Sequence, residues 1–204
     1  MNKELKGSAV FLITLLVYVL AEPFIAIFTD KLWIILLFKL LFVGAIIILL
    51  KDWFSFKLKF DFLAIVTGIL IGVIWVLIDG FYTPFSVGSV KIYSSVDIIL
   101  KIFVGIIIAP VIEEFFTRFF LHRYVQSKNW LTEKMGTYSF APFIITTLFF
   151  GLSHNRWLAG IITGIILNLL WYRKKDMNSV IVAHGIANLV LGILVLTLGL
   201  WTFW

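Results

Sequence analysis

Long apolar runs recur along this chain at about 8–28, 32–50, 62–79, 98–120, 140–154, 157–172 and 179–201. A helix needs about 20 mostly apolar residues to cross a bilayer. The runs therefore predict an all-α fold: a polytopic transmembrane helical bundle of about seven to eight helices, the fifth and sixth of them short. Composition agrees. Of 204 residues, 62% are hydrophobic and 14% charged, against about a half and a quarter in soluble domains. Nothing between the runs is long enough for a separate soluble domain, so residues 1–204 read as one integral membrane domain. The chain has no cysteine, which excludes disulfides, thiol catalysis and thiolate-bound zinc.

Charge sets an expected orientation. Lys and Arg within 3–6, 51–59, 118–134 and 173–175 fall on one side, with only Lys31, Lys91 and Arg156 on the other. Positive loops stay cytoplasmic, so the N-terminus is expected inside and the C-terminus outside the cell membrane of a prokaryote, after seven crossings. The net charge of +6 follows from those loops and implies no nucleic-acid partner. The basic start and Val19-Leu20-Ala21 resemble a cleavable signal, but Phe24 to Phe28 continue the apolar run. The first segment is expected to stay as an anchor.

Charged groups at bilayer depth are expensive and usually functional. The fourth run carries VIEEFFTRFFLHRY at 111–124. Glu114 and Arg118 are four apart, on one helical face, and can pair. Glu113, rotated by about 100°, is left to face other helices. Pro110, three residues earlier, removes a backbone hydrogen bond and is expected to kink the helix beside Glu113. His154 ends the fifth run, four residues after Phe150, and His184 and Asn188 share one face of the seventh. The turn 153–156 follows a run of about 15 residues, some 22 Å of helix. It is expected within membrane depth, where irregular backbone must be buried or line a wet cavity. His122 reads as interfacial, and Lys39, Glu22 and Lys101 as charges in or beside apolar runs. A carboxylate, two imidazoles and an amide from three helices are most simply satisfied in one shared, hydrated pocket. Glu113 there is a candidate general base for water.

The three blocks Glu113-Glu114-x-x-x-Arg118, Phe150-x-x-x-His154 and His184-x-x-x-Asn188 resemble the CPBP family of CAAX-processing and bacteriocin-processing intramembrane endopeptidases. The resemblance spans about 98–200, the motif-bearing core. APVIEEFFTRFFLHRY, FGLSHNRWLAG and LGLWTFW are similar to a narrower exosortase-associated, CAAX prenyl protease-related subgroup. The resemblance implies hydrolysis of a peptide bond in a membrane-anchored protein or peptide within the lipid bilayer, of CAAX or C-terminal sorting-signal type. It implies that Glu113 activates water with help from His154, that His184 and Asn188 stabilise the oxyanion, and that Glu114 and Arg118 hold Glu113 in place.

The residues leave the cofactor open. Glu113, His154 and His184 suffice for a zinc ion with a free position and equally for metal-free chemistry. The lack of an HExxH pair favours the metal-free form. Two other readings use the same polar cluster: a transporter or ion-binding protein, and a non-catalytic immunity or scaffold protein. With helix four ending near 120, Glu113 lies about seven residues from its cytoplasmic end, and the pocket is expected to open toward the cytoplasmic leaflet. The first three helices contribute no recognisable motif.

Overall fold

The computed structural model describes residues 2–86 and 93–203; Lys91, which entered the charge count, lies outside them. Seven principal helices run through the described residues: α1 (Lys3–Ala26), α2 (Leu32–Leu49), α3 (Phe62–Leu77), α4 (Ser95–Gln126), α5 (Phe140–Leu152), α6 (Trp157–Lys174) and α7 (Met177–Leu198). Four of them, α1, α2, α4 and α7, are long and apolar enough to cross a membrane, while α3 and α5 are shorter apolar helices. This is an all-helical membrane protein. The helix boundaries follow the apolar runs with two differences. Helix α6 continues to Lys174, so only α5 is markedly short. Helix α4 continues through HRYVQ to Gln126, because Arg123 at its end turns its guanidinium onto the Leu131 and Glu133 carbonyls and ties down the following loop.

Side-chain caps start four of the helices. Asn2, Asp61 and Asp176 accept from the amides of Leu5, Ala64 and Ser179 at 2.8, 3.1 and 2.8 Å, and Ser94 and Asp97 form a reciprocal capping box on α4. The helices alternate in direction. The basic end gathers the starts of α1, α3 and α7, where Lys174 bridges to Asp61 at 2.7 Å and Lys59 pairs its backbone with Asn178. The opposite end joins Asp79 to Arg156 at 3.0 Å and the Phe85 amide to the Asn155 carbonyl.

Two GxxxG pairs set the tightest crossings, since small residues let helix backbones approach. A Cβ on Gly68 would lie 2.4 Å from the Ala183 carbonyl, and one on Gly72 2.8 Å from Val190, so α3 packs directly on α7. On α6, a Cβ at Gly160 would lie 2.9 Å from the Gly151 backbone of α5, with Gly164 against Thr147. These crossings bring His154 and His184 to the same depth as Glu113. Near the basic end, Phe11, Phe115, Phe120 and Trp130 form an aromatic core with ring centroids 5.2 to 6.3 Å apart.

Candidate functional site

Helix α4 is not uniformly α-helical. Val104–Ile108 and Phe115–His122 are π-wound, flanking the α-turn that carries both glutamates. In the first stretch the Ala109 amide bonds back to Val104 O. The next bond in that register would run from residue 110 to Gly105 O, and Pro110 has no N–H. Asn188 of α7 fills the vacancy by donating Nδ2 to Gly105 O at 2.7 Å. The effect of Pro110 is thus a freed carbonyl captured by Asn188, within a helix that stays continuous.

Glu114 is completely buried. Its carboxylate meets Arg118 Nη1 at 3.0 to 3.1 Å and accepts from His184 Nδ1 at 2.8 Å. Arg118, equally buried, donates from Nε to Asn168 Oδ1 and from Nη2 to Gly164 O, and its guanidinium lies 4.7 Å from the Phe150 ring centre. Asn168 in turn donates to Thr146 and Thr147 at 3.0 Å each. A buried ion pair is tolerable only when its remaining bonds are filled, and this one is held by donors and acceptors from α4, α5, α6 and α7. The expected Glu114–Arg118 pair is present, but it does not touch Glu113. It steers the imidazole of His184, because the one-residue step along α4 points the two carboxylates to different neighbours.

Glu113 is only partly buried, with 21% of its side chain exposed. Its Oε2 lies 3.9 Å from Nε2 of His154 and 3.9 Å from Nε2 of His184. Its Oε1 accepts from the Tyr18 hydroxyl at 3.3 Å. His154 Nδ1 lies 2.6 Å from Phe150 O; a carbonyl only accepts, so Nδ1 carries a proton and Nε2 is turned toward Glu113. The same logic at Glu114 fixes Nδ1–H on His184. Ser153 donates its hydroxyl to Phe150 O at 2.9 Å, so its hydrogen is committed to the turn.

These residues border a cavity of about 200 Å³ whose walls include Trp75, Phe150, Thr163 and Phe203 along with Asn188. Trp75 is locked by an Nε1 bond to Thr163 Oγ1 at 2.7 Å and meets His154 edge-on. The cavity does not face the basic end as expected. Trp75, Leu191 and Phe203 lie toward the C-terminal ends of α3 and α7, and thirteen residues of α4, about 20 Å, separate Glu113 from Gln126. The reason is the 13-residue α5, which reaches about 20 Å of a 30 Å core. It leaves its last turn, with His154, inside the bundle and the space beyond it to Trp75 and Phe203.

One further expectation is corrected. His122 is not interfacial: it is fully buried in the second π-stretch, 2.8 Å from Tyr172 OH and packed edge-on against Trp171. The first three helices, which carry no recognisable motif, reach the site through Tyr18 on α1 and Trp75 on α3. Neither carries a spacing signal that sequence reading detects. Zinc would require Glu113, His154 and His184 to converge on one point, and among the described residues no three His, Asp or Glu side chains are so arranged.

The site is that of a helical membrane protein with a carboxylate and two imidazoles facing one another in a buried cavity. Residues 95–190 match the family model for the Type II CAAX prenyl endopeptidase Rce1-like proteins. The EExxxR, FxxxH and HxxxN blocks all lie within the matched segment, which is similar to this family of CAAX proteases. No curated protein and no solved structure shows a significant match.

Proposed function

We propose that this protein is an intramembrane endopeptidase that hydrolyses a peptide bond near the end of a membrane-anchored, CAAX-type or sorting-signal-type protein. The observation that carries the reading is the meeting of Glu113 Oε2 with Nε2 of His154 and of His184 at 3.9 Å each, beside a partly open cavity. That separation is too long for a direct hydrogen bond and suits one bridging water.

A water between Glu113 and His154 donates one proton to Oε2 and the other to Nε2, which leaves its lone pairs for the substrate carbonyl. As the O–C bond forms, one proton passes to Glu113. The carbonyl becomes an oxyanion facing Nε2 of His184, whose ring Glu114 holds in place through Nδ1. Asn188 keeps a second Nδ2 proton for the same oxyanion. Collapse breaks the C–N bond, and Glu113 returns its proton to the leaving amine. The surrounding apolar walls make such fixed donors effective. The basic end lies in the cytoplasm, the C-terminus outside, and the cavity opens toward the outer half of the membrane.

The test uses the purified protein in lipid nanodiscs with an internally quenched prenylated CAAX peptide. Glu113→Ala and His154→Ala should each abolish cleavage while the protein still inserts and melts cooperatively. Cleavage at the normal rate by Glu113→Ala would eliminate the hydrolase reading. A phenotype that persists in Glu113→Ala cells would point to a scaffold, and ion or solute flux in proteoliposomes to a transporter.

A further inference from the structure

The matched segment begins at residue 95, yet a polar chain reaches Glu113 from outside it. Tyr18, partly buried on α1, donates its hydroxyl to Glu113 Oε1, the oxygen turned away from both histidines. Above the Tyr18 ring, 4.1 Å from its centroid, sits the ammonium of Lys39 on α2. Lys39 is more than nine-tenths buried and pairs with Glu22 Oε2 at 3.5 Å. Glu22, Lys39, Tyr18 and Glu113 thus form one line across α1, α2 and α4.

We infer that Tyr18 is a positioning residue for the catalytic carboxylate, and that Lys39 and Glu22 hold Tyr18 in place. This rests on the hydrolase reading of Glu113. A glutamate's terminal torsion is broad and roughly two-fold, so an unrestrained Glu113 presents either oxygen, at a range of angles, to the water. The Tyr18 hydroxyl engages Oε1 and leaves Oε2 directed between His154 and His184. Small losses of alignment reduce rates strongly when reacting groups must sit in a near-attack geometry. At 3.3 Å the bond is long for an O–H···O contact, as catalytic hydrogen bonds often are before substrate binds. A cation over an aromatic face is attracted to the ring and more strongly so when desolvated; that attraction keeps the phenol from rotating away. Tyr18 also walls a second cavity of about 170 Å³ that Glu113 and His154 share with Leu15, Val19 and Phe149. The α1–α2 hairpin therefore completes the site instead of merely packing beside it.

The experiment compares wild type, Tyr18→Phe and Lys39→Met in nanodiscs, by steady-state cleavage of the prenylated CAAX peptide and by infrared difference spectroscopy. In the second measurement, subtracting the spectrum of Glu113→Gln isolates the Glu113 carboxyl bands in each background. Tyr18→Phe, which keeps the ring, should lower kcat about tenfold with KM within twofold, and should shift the Glu113 band. Lys39→Met should do the same to a smaller degree. An unmoved Glu113 band in Tyr18→Phe overturns the inference, as does a raised KM with unchanged kcat, which would make Tyr18 a wall of the substrate cavity only. If wild type does not cleave the peptide, the hydrolase reading fails, and the infrared band alone then decides whether Tyr18 holds Glu113.

Discussion

Two sides of helix α4, one residue apart, show opposite treatments of a buried carboxylate. On the Glu114 side every charged group is closed off: Glu114 and Arg118 are fully buried, and their partners extend through His184, Asn168 and two threonines. On the Glu113 side the carboxylate is partly open, has one long hydrogen bond, and faces two imidazoles across gaps of 3.9 Å. A closed ionic network contributes order, since its buried partners hold one another in place. An open carboxylate in an apolar cavity retains capacity for a water or a substrate. The same residue type thus serves framework and chemistry, and the neighbouring helices decide which.

The sharpest way to break this comparison is to remove Arg118. Arg118→Ala removes the cation paired with the fully buried Glu114, and should lower stability by about 3–5 kcal/mol, measured by unfolding in mild detergent. A loss under 1 kcal/mol would show that the Glu114 side is not a closed network. Glu113→Gln should do the reverse. Peptide hydrolysis should fall at least about a hundredfold, while stability changes by no more than about 0.5 kcal/mol; strong destabilisation would place Glu113 in the framework as well.

Asn188 belongs to both sides. Asn188→Ala strands the Gly105 carbonyl that Pro110 leaves without an amide, which should reduce stability by about 1–3 kcal/mol. It should also slow cleavage, and Pro110→Ala in the same chain should restore stability without restoring rate. Recovery of both together would assign Asn188 a structural role alone.

The smallest effect concerns the basic end. Burial pushes the Asp61 carboxyl up, but hydrogen bonds from Lys174, Ser179 and the Ala64 amide outweigh it and hold the group at about 2. A depressed folded pKa gives stability that is present above the unfolded value near 4 and is lost as pH falls toward 2. Lys174→Met should therefore destabilise the protein by about 1 kcal/mol at neutral pH, since Lys174 is about one-third exposed. The difference from wild type should vanish below about pH 2. A constant difference at all pH values would show that Lys174 acts by packing.

Much of this was legible in the sequence, and the failures have specific causes. The apolar runs placed all seven helices, because only a helix satisfies its own backbone in hydrocarbon. The i,i+4 rule found the Glu114–Arg118 pair and isolated Glu113. The GxxxG pairs at 68–72 and 160–164 mark the two closest crossings and offered a signal that motif reading passed over. His122 was misplaced because Arg123, a charge that reads as a helix end, folds back onto the Leu131 and Glu133 carbonyls and lets α4 continue. Tyr18 and Trp75 left no signal at all: a single aromatic residue in an apolar run looks the same whether it faces lipid or a carboxylate.

What the sequence determined by itself was periodicity and inventory: which segments span, and which charges those segments must accommodate. Both follow from local physics, the 3.6-residue turn and the expense of burying charge. Only the tertiary structure decided which carboxylate pairs with which imidazole, that Asn188 answers Pro110, that α1 supplies a hydroxyl to Glu113, and that the cavity lies away from the basic end. Those outcomes depend on helix depth, helix rotation and the close approach permitted by four glycines, which are properties of the assembled bundle and of no single segment.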